Sequence, residues 1–441
     1  CWPRRLGAAD GWSNYVMSEP STPSTGLSGS KTEDTLHPGT EPPDSLTGEL
    51  RRRVLSINLA VTLLAFVLAL AIGAVLIAAS APSVIESLGY FFARPFDTFA
   101  AVFNSVYSAY SALFQGALLD VNELREGDVS AAFYPLSETF TVSAPLILAG
   151  LAVAIPFRAG LFNIGAQGQM AFAAIGGGLV GFGLSLPAGV HLLASLAAAM
   201  VFGALWAGLV GLLKAKTGAH EVITTIMLNY IAIYLLGWVL NQDWFQREGR
   251  NDPISPILNE SATFPLIFGG GLRIHFGILF SIGAVIVVWW MMTKTTTGFR
   301  IQTVGANAAA ARTAGMNVGR IWIVAMLWAG AMAGLAVSMN VNGTDKVVTA
   351  GIVGNIGFDA ITVALLGRGS PFGVLAAGLL IGGLRAGGLA MQASTGTPID
   401  IVLVLQALIV LFIAAPALVR AVFRLRGKTA DSLTIAKGWG S

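Results

Sequence analysis

The side chains in this sequence best suited to chemistry are polar groups set inside long apolar runs. Asn163, Gln167 and Gln169 open one such run, Asn229 and Tyr230 adjoin in the middle of another, and Asn355 and Asp359 begin a third. Amides and phenols both donate and accept hydrogen bonds, so this set suits an uncharged polar solute with many hydroxyls or ring nitrogens. It equally suits hydrogen bonds between packed helices. Asp359 lies about 12 Å from one end of its run, and Arg385, on the next run, about 9 Å from the same face at 1.5 Å per residue. The matching depths point to an ion pair, with direct solute contact as the alternative. Polar groups in apolar helices are costly unless they meet such partners or face a pathway.

Other chemistries find no support in the residues. His191, His220 and His275 are scattered near the ends of runs, so no metal site is indicated. Cys1 is the single cysteine, which removes disulfides, thiolate metal sites and a thiol nucleophile from the membrane body. A phosphate-binding loop needs G-x-x-x-x-G-K-[ST]. Gly427-Lys428-Thr429 supplies only its end, with Val422 where the first glycine belongs. No Ser–His or paired-Asp arrangement and no His-Glu-x-x-His motif occurs. The chain is therefore expected to be neither an enzyme nor an ATP-binding protein, and to hold no cofactor of its own.

The elements that position these groups follow from composition. Hydrophobic residues make up 55% of the 441, charged residues 11%, and there are 53 glycines. A soluble surface needs roughly a quarter of residues charged, so lipid must be the main solvent. A net charge of +3 is too small to argue for nucleic acid. A helix crossing ~30 Å of hydrocarbon needs about 20 apolar residues. Ten runs qualify: 54–79, 138–157, 161–183, 188–213, 221–240, 274–292, 321–340, 351–367, 371–391 and 401–420. The third and eighth are glycine-rich and interrupted by polar groups, so they are expected to be re-entrant or partly unwound. Residues 97–118 interleave Asn104, Ser105, Ser108, Ser111 and Gln115 with aromatics, and read as an amphipathic helix lying outside.

Charge placement tests this count. With ten spans and a cytoplasmic N-terminus, 16 lysines and arginines flank the spans on the inside and six lie outside, not counting Arg4, Arg5 and Lys31 of the leader. That asymmetry fits the positive-inside rule and places both termini in the cytoplasm. Residues 18–50 are rich in Ser, Thr, Pro, Gly and acids and read as disordered, with residues 1–16 expected to precede a true start at Met17. The expected organisation is a cytoplasmic leader (1–50), a transmembrane domain (51–428) and a cytoplasmic tail (429–441). Within the domain lie an acidic external insertion (80–137), a second external loop (241–273) expected to be solvated, and a cytoplasmic connection (293–320).

Asn163-Ile164-Gly165-Ala166-Gln167 opens the third run, and Asn355-Ile356-Gly357-Phe358-Asp359 stands near the start of the eighth. Five runs apart, the two copies enter from opposite faces, as two inverted five-helix halves require. Glycine-interrupted helices at matching positions of two halves point to a permeation pathway. The fold class expected is thus an all-α integral membrane protein of about ten transmembrane helices, in two inverted halves with broken Gly-rich helices.

The connection from Thr297 to Asn317 contains Arg300 and then Gly305-Ala306-Asn307-Ala308-Ala309-Ala310-Ala311-Arg312-Thr313-Ala314-Gly315. An alanine run between glycines reads as a short helix between two turns. Its small side chains allow another protein close approach, and its arginines attract acidic partners. Together with Phe157-Arg158-Ala159-Gly160-Leu161-Phe162-Asn163-Ile164-Gly165-Ala166-Gln167-Gly168-Gln169 and Gly357-Phe358-Asp359-Ala360-Ile361, this segment resembles the permeases of bacterial ABC importers in the branched-chain amino acid, ribose and nucleoside superfamily. The resemblance covers about 138–420, and the first string looks most like the larger permease of nucleoside (or simple sugar) uptake systems.

That resemblance implies an importer in the bacterial plasma membrane. It implies two permeases around a pathway, the second a different chain, with cytoplasmic ABC ATPases that bind the ATP and an extracellular substrate-binding lipoprotein. It makes Gly305 to Gly315 the coupling helix, seated in a groove of the ATPase. The solute order it implies is nucleoside, then simple sugar, then branched-chain amino acid. An ion-coupled secondary transporter is the other class to weigh, with Asp359 as its one good coupling carboxylate.

Overall fold

The computed structural model describes residues 44–424. Residues 1–43 of the expected leader, residues 425–428 and the expected tail (429–441) lie outside the described residues. The chain divides at Val54 into two units, and the helical bundle is the unit from Leu55 onward.

The first apolar run lies in α1 (Asp44–Ser80), and the acidic stretch after it folds as α2 (Pro82–Leu88), α3 (Pro95–Ala117) and α4 (Val121–Glu126). With α1, four longer helices make the first half, α5 (Val129–Arg158), α6 (Ala166–Gly183), α7 (Val190–Thr217) and α8 (Glu221–Leu240), and α9 (Gly277–Lys294) opens the second. Two short helices, α10 (Thr296–Ala306) and α11 (Ala308–Thr313), lead to α12 (Val318–Ser338), α13 (Ile356–Leu366), α14 (Pro371–Thr395), α15 (Ile399–Ala414) and α16 (Pro416–Val422).

The protein is all-helical, but the expected ten crossings are not all met by single helices. Among the described residues, seven helices are long and apolar enough to span, or eight if α15 and α16 count as one. The differences have local causes. The eighth run is a turn from Gly351 to Asn355 followed by the 11-residue α13, which at 1.5 Å per residue covers only about half the hydrocarbon. The third run loses residues 161–165 to a non-helical entry before α6. The tenth bends by 93° between α15 and α16, because Pro416 has no N–H for the helical ladder and its ring clashes with the preceding turn.

The two halves grip each other reciprocally. Helix α7 packs on α12 as α14 packs on α5, and α6 contacts α12 as α13 contacts α5. Glycines make these contacts close. A Cβ at Gly330 would overlap the Gly203 carbonyl and one at Gly203 the Gly330 carbonyl, while Gly334 meets Ala199. On the other side, Gly378 faces Ile147 and Gly382 faces Ser143. Small residues at such crossings let backbones approach where lipid gives no hydrophobic drive. At the centre runs α5, with residues 143–156 all buried despite Pro145 and Pro156. Neighbouring helices make such prolines tolerable inside a bundle.

Two outer segments are more integrated than their sequences indicate. Helix α3 buries Ala109, Leu113 and Ala117 along α14, and Tyr110 Oη donates to Leu70 O of α1 (2.5 Å). Its C-terminal part therefore sits beside spans and does not stand clear of them. The 241–273 loop, expected to be solvated, is stitched to the segment after α12. Ser255 N donates to Val348 O (3.0 Å), Leu258 N to Lys346 O (2.9 Å) and Phe264 N to Asn342 O (2.8 Å), and Phe245 of the loop is fully buried.

The glycine contacts make a paired prediction. Gly330→Ala should destabilise the protein by about 1–3 kcal/mol through overpacking. Gly237→Ala, where a Cβ meets nothing within 4 Å, should be neutral or gain up to about 1 kcal/mol of helix propensity. Thermal unfolding of the purified variants, followed by size-exclusion fluorescence, checks both.

Candidate functional site

Both broken helices begin beside each other, and one side chain joins them. Gln167, in the first turn of α6, donates from Nε2 to Gly354 O (2.5 Å) and accepts at Oε1 from Gly357 N (3.0 Å). The two Asn-Ile-Gly copies are thus in contact across the halves. Gly357 must be glycine for this, since a Cβ there would overlap the Gln167 backbone.

The other amides repair the break before α6. Asn229 Oδ1 accepts from Gly168 N (2.8 Å), and its Nδ2 donates to Ile164 O (3.0 Å). Asn163 Oδ1 accepts from Gly165 N (2.9 Å) and from Gln169 Nε2 (3.0 Å), while its Nδ2 donates to Ala152 O (3.1 Å). All four of these amide side chains are buried. Where a helix is interrupted inside a bundle, its freed backbone groups need such partners. Asn163, Gln167, Gln169 and Asn229 therefore form one polar cluster whose hydrogen bonds are made within the protein. Tyr230, adjacent to Asn229 in sequence, points away from it and is 58% exposed.

The open face belongs to α13. Asn355 and Gly354 are exposed, as is Phe358 at 48%. Residues 355, 358 and 359 share one helix face by the i, i+3, i+4 rule. Arg385 of α14 donates to the Asp359 carboxylate, with both side chains mostly buried, so the two residues at matching depth do meet. Phe358 is the residue sequence reasoning passed over, although it stands between Gly357 and Asp359 in the motif. An exposed ring beside an amide offers a flat apolar platform with polar neighbours.

A second cluster gathers at the end of the bundle that carries Arg158, Lys294 and Arg300. Asn307 caps α11, its Oδ1 accepting from Ala310 N (2.9 Å), and Gly315, with φ +80°, ends that turn. Such caps satisfy the orphan N–H groups and the left-handed exit of a short helix. Asn307, Ala309, Ala310, Arg312 and Thr313 face outward, as does Arg300. Gly305 faces the other way. A Cβ there would overlap the Arg158 carbonyl and press on Gly160 N, so this glycine seats the connection against the turn that ends α5. From that turn Arg158 Nε donates to Gly369 O (3.0 Å), just past α13. The connection, the end of α5 and the α13–α14 turn are therefore one contiguous piece. Among the described residues no cluster of His, Cys, Asp or Glu could hold a metal ion.

Several known proteins resemble this chain in sequence. The family model for branched-chain amino acid transport system permease components matches residues 136–414. A guanosine ABC transporter permease protein of Bacillus subtilis is 36% identical over 329 residues, 74% of this chain and 91% of that protein. A glucose ABC transporter permease protein of Haloferax volcanii is 38% identical over 289 residues, covering 64% and 76%. A nucleoside ABC transporter permease protein of Lactococcus lactis is 34% identical over 315 residues, covering 69% and 85%. No solved structure matches the chain.

The polar contacts make two expectations testable by unfolding. Asn229→Leu should cost about 1–3 kcal/mol by leaving Gly168 N and Ile164 O unpaired. Arg385→Met should cost more than the double change Asp359→Leu/Arg385→Met, because breaking a buried pair strands a charge that replacing both removes. Equal losses for the single and the double variant would show that the pair is not buried as described.

Proposed function

This chain belongs to the family of branched-chain amino acid transport system permease components, and we propose that it moves nucleosides, or a simple sugar, across the plasma membrane as the permease subunit of an ATP-binding cassette importer. The junction at Gln167 carries this reading. It joins two interrupted helices from opposite halves beside an open face of Asn355 and Phe358, with the paired Asp359 next to it. Interrupted helices meeting at such a seam are where transporters bind solutes. The names of the relatives, guanosine and nucleoside on one side and glucose on the other, support solutes rich in hydroxyls. The Phe358 ring favours the nucleoside, because a base can stack on it.

The short capped helix supports an ATPase as the source of energy. Asn307, Ala309, Ala310 and Arg312 would enter a groove of the ATPase, with Arg300 and Gly315 at its edges. The contact of Gly305 with Arg158 and Gly160, continued to Gly369, would carry the ATPase's movement to α13. A second, different permease and an extracellular binding lipoprotein complete the assembly in this reading. The excess of basic residues on one side supports cytoplasmic termini. Pairing of Asp359 with Arg385 weighs against an ion-coupled transporter, whose coupling carboxylate must bind and release its ion.

Uptake of labelled guanosine, ribose and glucose into cells lacking this gene, complemented with variants, tests the reading. Ala310→Trp should abolish uptake while leaving membrane abundance and unfolding unchanged. Phe358→Ala should raise KM for guanosine about 5- to 100-fold, the worth of one stacked base, and raise that for glucose less. Uptake of every solute unchanged without the gene would refute the substrate. Uptake that survives ATP depletion would refute the ABC mechanism.

A further inference from the structure

Beside the capped helix, at the same basic end, a cleft of about 700 Å³ opens between α10 and the start of α12. Arg300 and Arg320 line it, both exposed, and neither makes an ion pair with any described acid. No carboxylate lines the cleft, and Thr296 adds a hydroxyl. The rest is apolar. Phe299 lies at the cleft and is 62% exposed, and Ile321 and Val324 continue the wall upward along α12. Val324 lies six residues past Val318, where α12 begins, so the cleft climbs about 9 Å along a span.

Two cations at the mouth and an apolar wall rising into span depth match an amphiphile with an anionic head. We propose that this cleft binds an anionic glycerophospholipid of the adjoining leaflet, its phosphate between Arg300 and Arg320 and an acyl chain along Ile321 and Val324. Basic clefts between spans at the membrane surface attract such headgroups, because the charge is complementary and the tail stays in hydrocarbon. The ATPase, whose proposed contact borders Arg300 and Gly315, would reach only the mouth of the cleft, since a soluble partner would have to leave water to reach Val324. The inference rests on the membrane placement of the bundle and not on the solute transported.

The test uses the full chain alone, without an ATPase, in nanodiscs of phosphatidylcholine doped with phosphatidylglycerol. Lipid retained after detergent exchange is counted by native mass spectrometry. The wild type should retain phosphatidylglycerol in preference to phosphatidylcholine. Arg300→Gln and Arg320→Gln should each lower that preference about fivefold, whereas Arg320→Lys, which keeps the charge, should preserve most of it. Val324→Trp should weaken retention by filling the acyl wall, and excess inorganic phosphate should not displace the lipid. Unfolding temperatures of the variants are measured in parallel, and Arg320→Lys stands in for any glutamine variant that does not fold. Equal retention of both lipids by the wild type, or an unchanged preference in the arginine variants, would overturn the proposal. Full displacement by inorganic phosphate with no effect of Val324→Trp would instead reveal a free-anion site and also overturn it.

Discussion

The structure depends on the rule that a polypeptide surrounded by hydrocarbon must satisfy its own backbone. Water is absent, and each bare N–H or C=O there costs several kcal/mol. An unbroken helix meets that rule by itself, but this chain breaks two helices near its centre. The cost is offset by neutral amides. Asn229 closes the gap before α6, Asn163 folds the turn between α5 and α6, and Gln167 spans to the opposite half. Carboxylates at those positions could accept but not donate, so the amide, with both functions, suits a break that exposes both kinds of backbone group.

Around this polar centre the halves are held by close contact of small residues. The Gly203–Gly330 and Gly334–Ala199 contacts on one side, and the Gly378–Ile147 and Gly382–Ser143 contacts on the other, repeat one arrangement with the halves exchanged. At these crossings glycine serves close packing and not flexibility. Rigid pairs, α7 with α12 and α5 with α14, then flank a seam made of a few hydrogen bonds. A transporter that alternates between states needs such a contrast, because densely packed pairs move as bodies and a polar seam can exchange partners.

The basic end shows how a local rule produces a long-range link. Asn307 and Gly315 form a short helix for reasons confined to nine residues, by capping and by left-handed termination. Gly305, two residues earlier, is glycine for a reason 147 residues distant in the chain, because the Arg158 carbonyl occupies the space of its side chain. The same arginine reaches Gly369. A surface loop is thereby tied to the foot of the broken helix α13, and a push on the loop has a stiff route inward.

Much of this was legible in the residues. Composition alone required a lipid solvent, since 11% charged residues cannot cover a soluble surface. The repeated Asn-Ile-Gly marked both breaks, depth arithmetic paired Asp359 with Arg385, and the bracketed alanines marked a short helix. These are properties of short windows, or of a regular rise along one helix, and need no knowledge of neighbours. What the polar residues do was decided elsewhere. Gln167 finds its partners 187 and 190 residues away, and Tyr230 leaves the cluster because each helical residue turns the side chain by about 100°. Helix α13 takes up only 11 residues of its apolar run, and the last run turns by 93° at Pro416. Hydropathy records which solvent a side chain prefers, but hydrogen bonding and close packing depend on which helices meet. That choice belongs to the tertiary structure, because residues far apart in the chain must converge before any of these contacts exists.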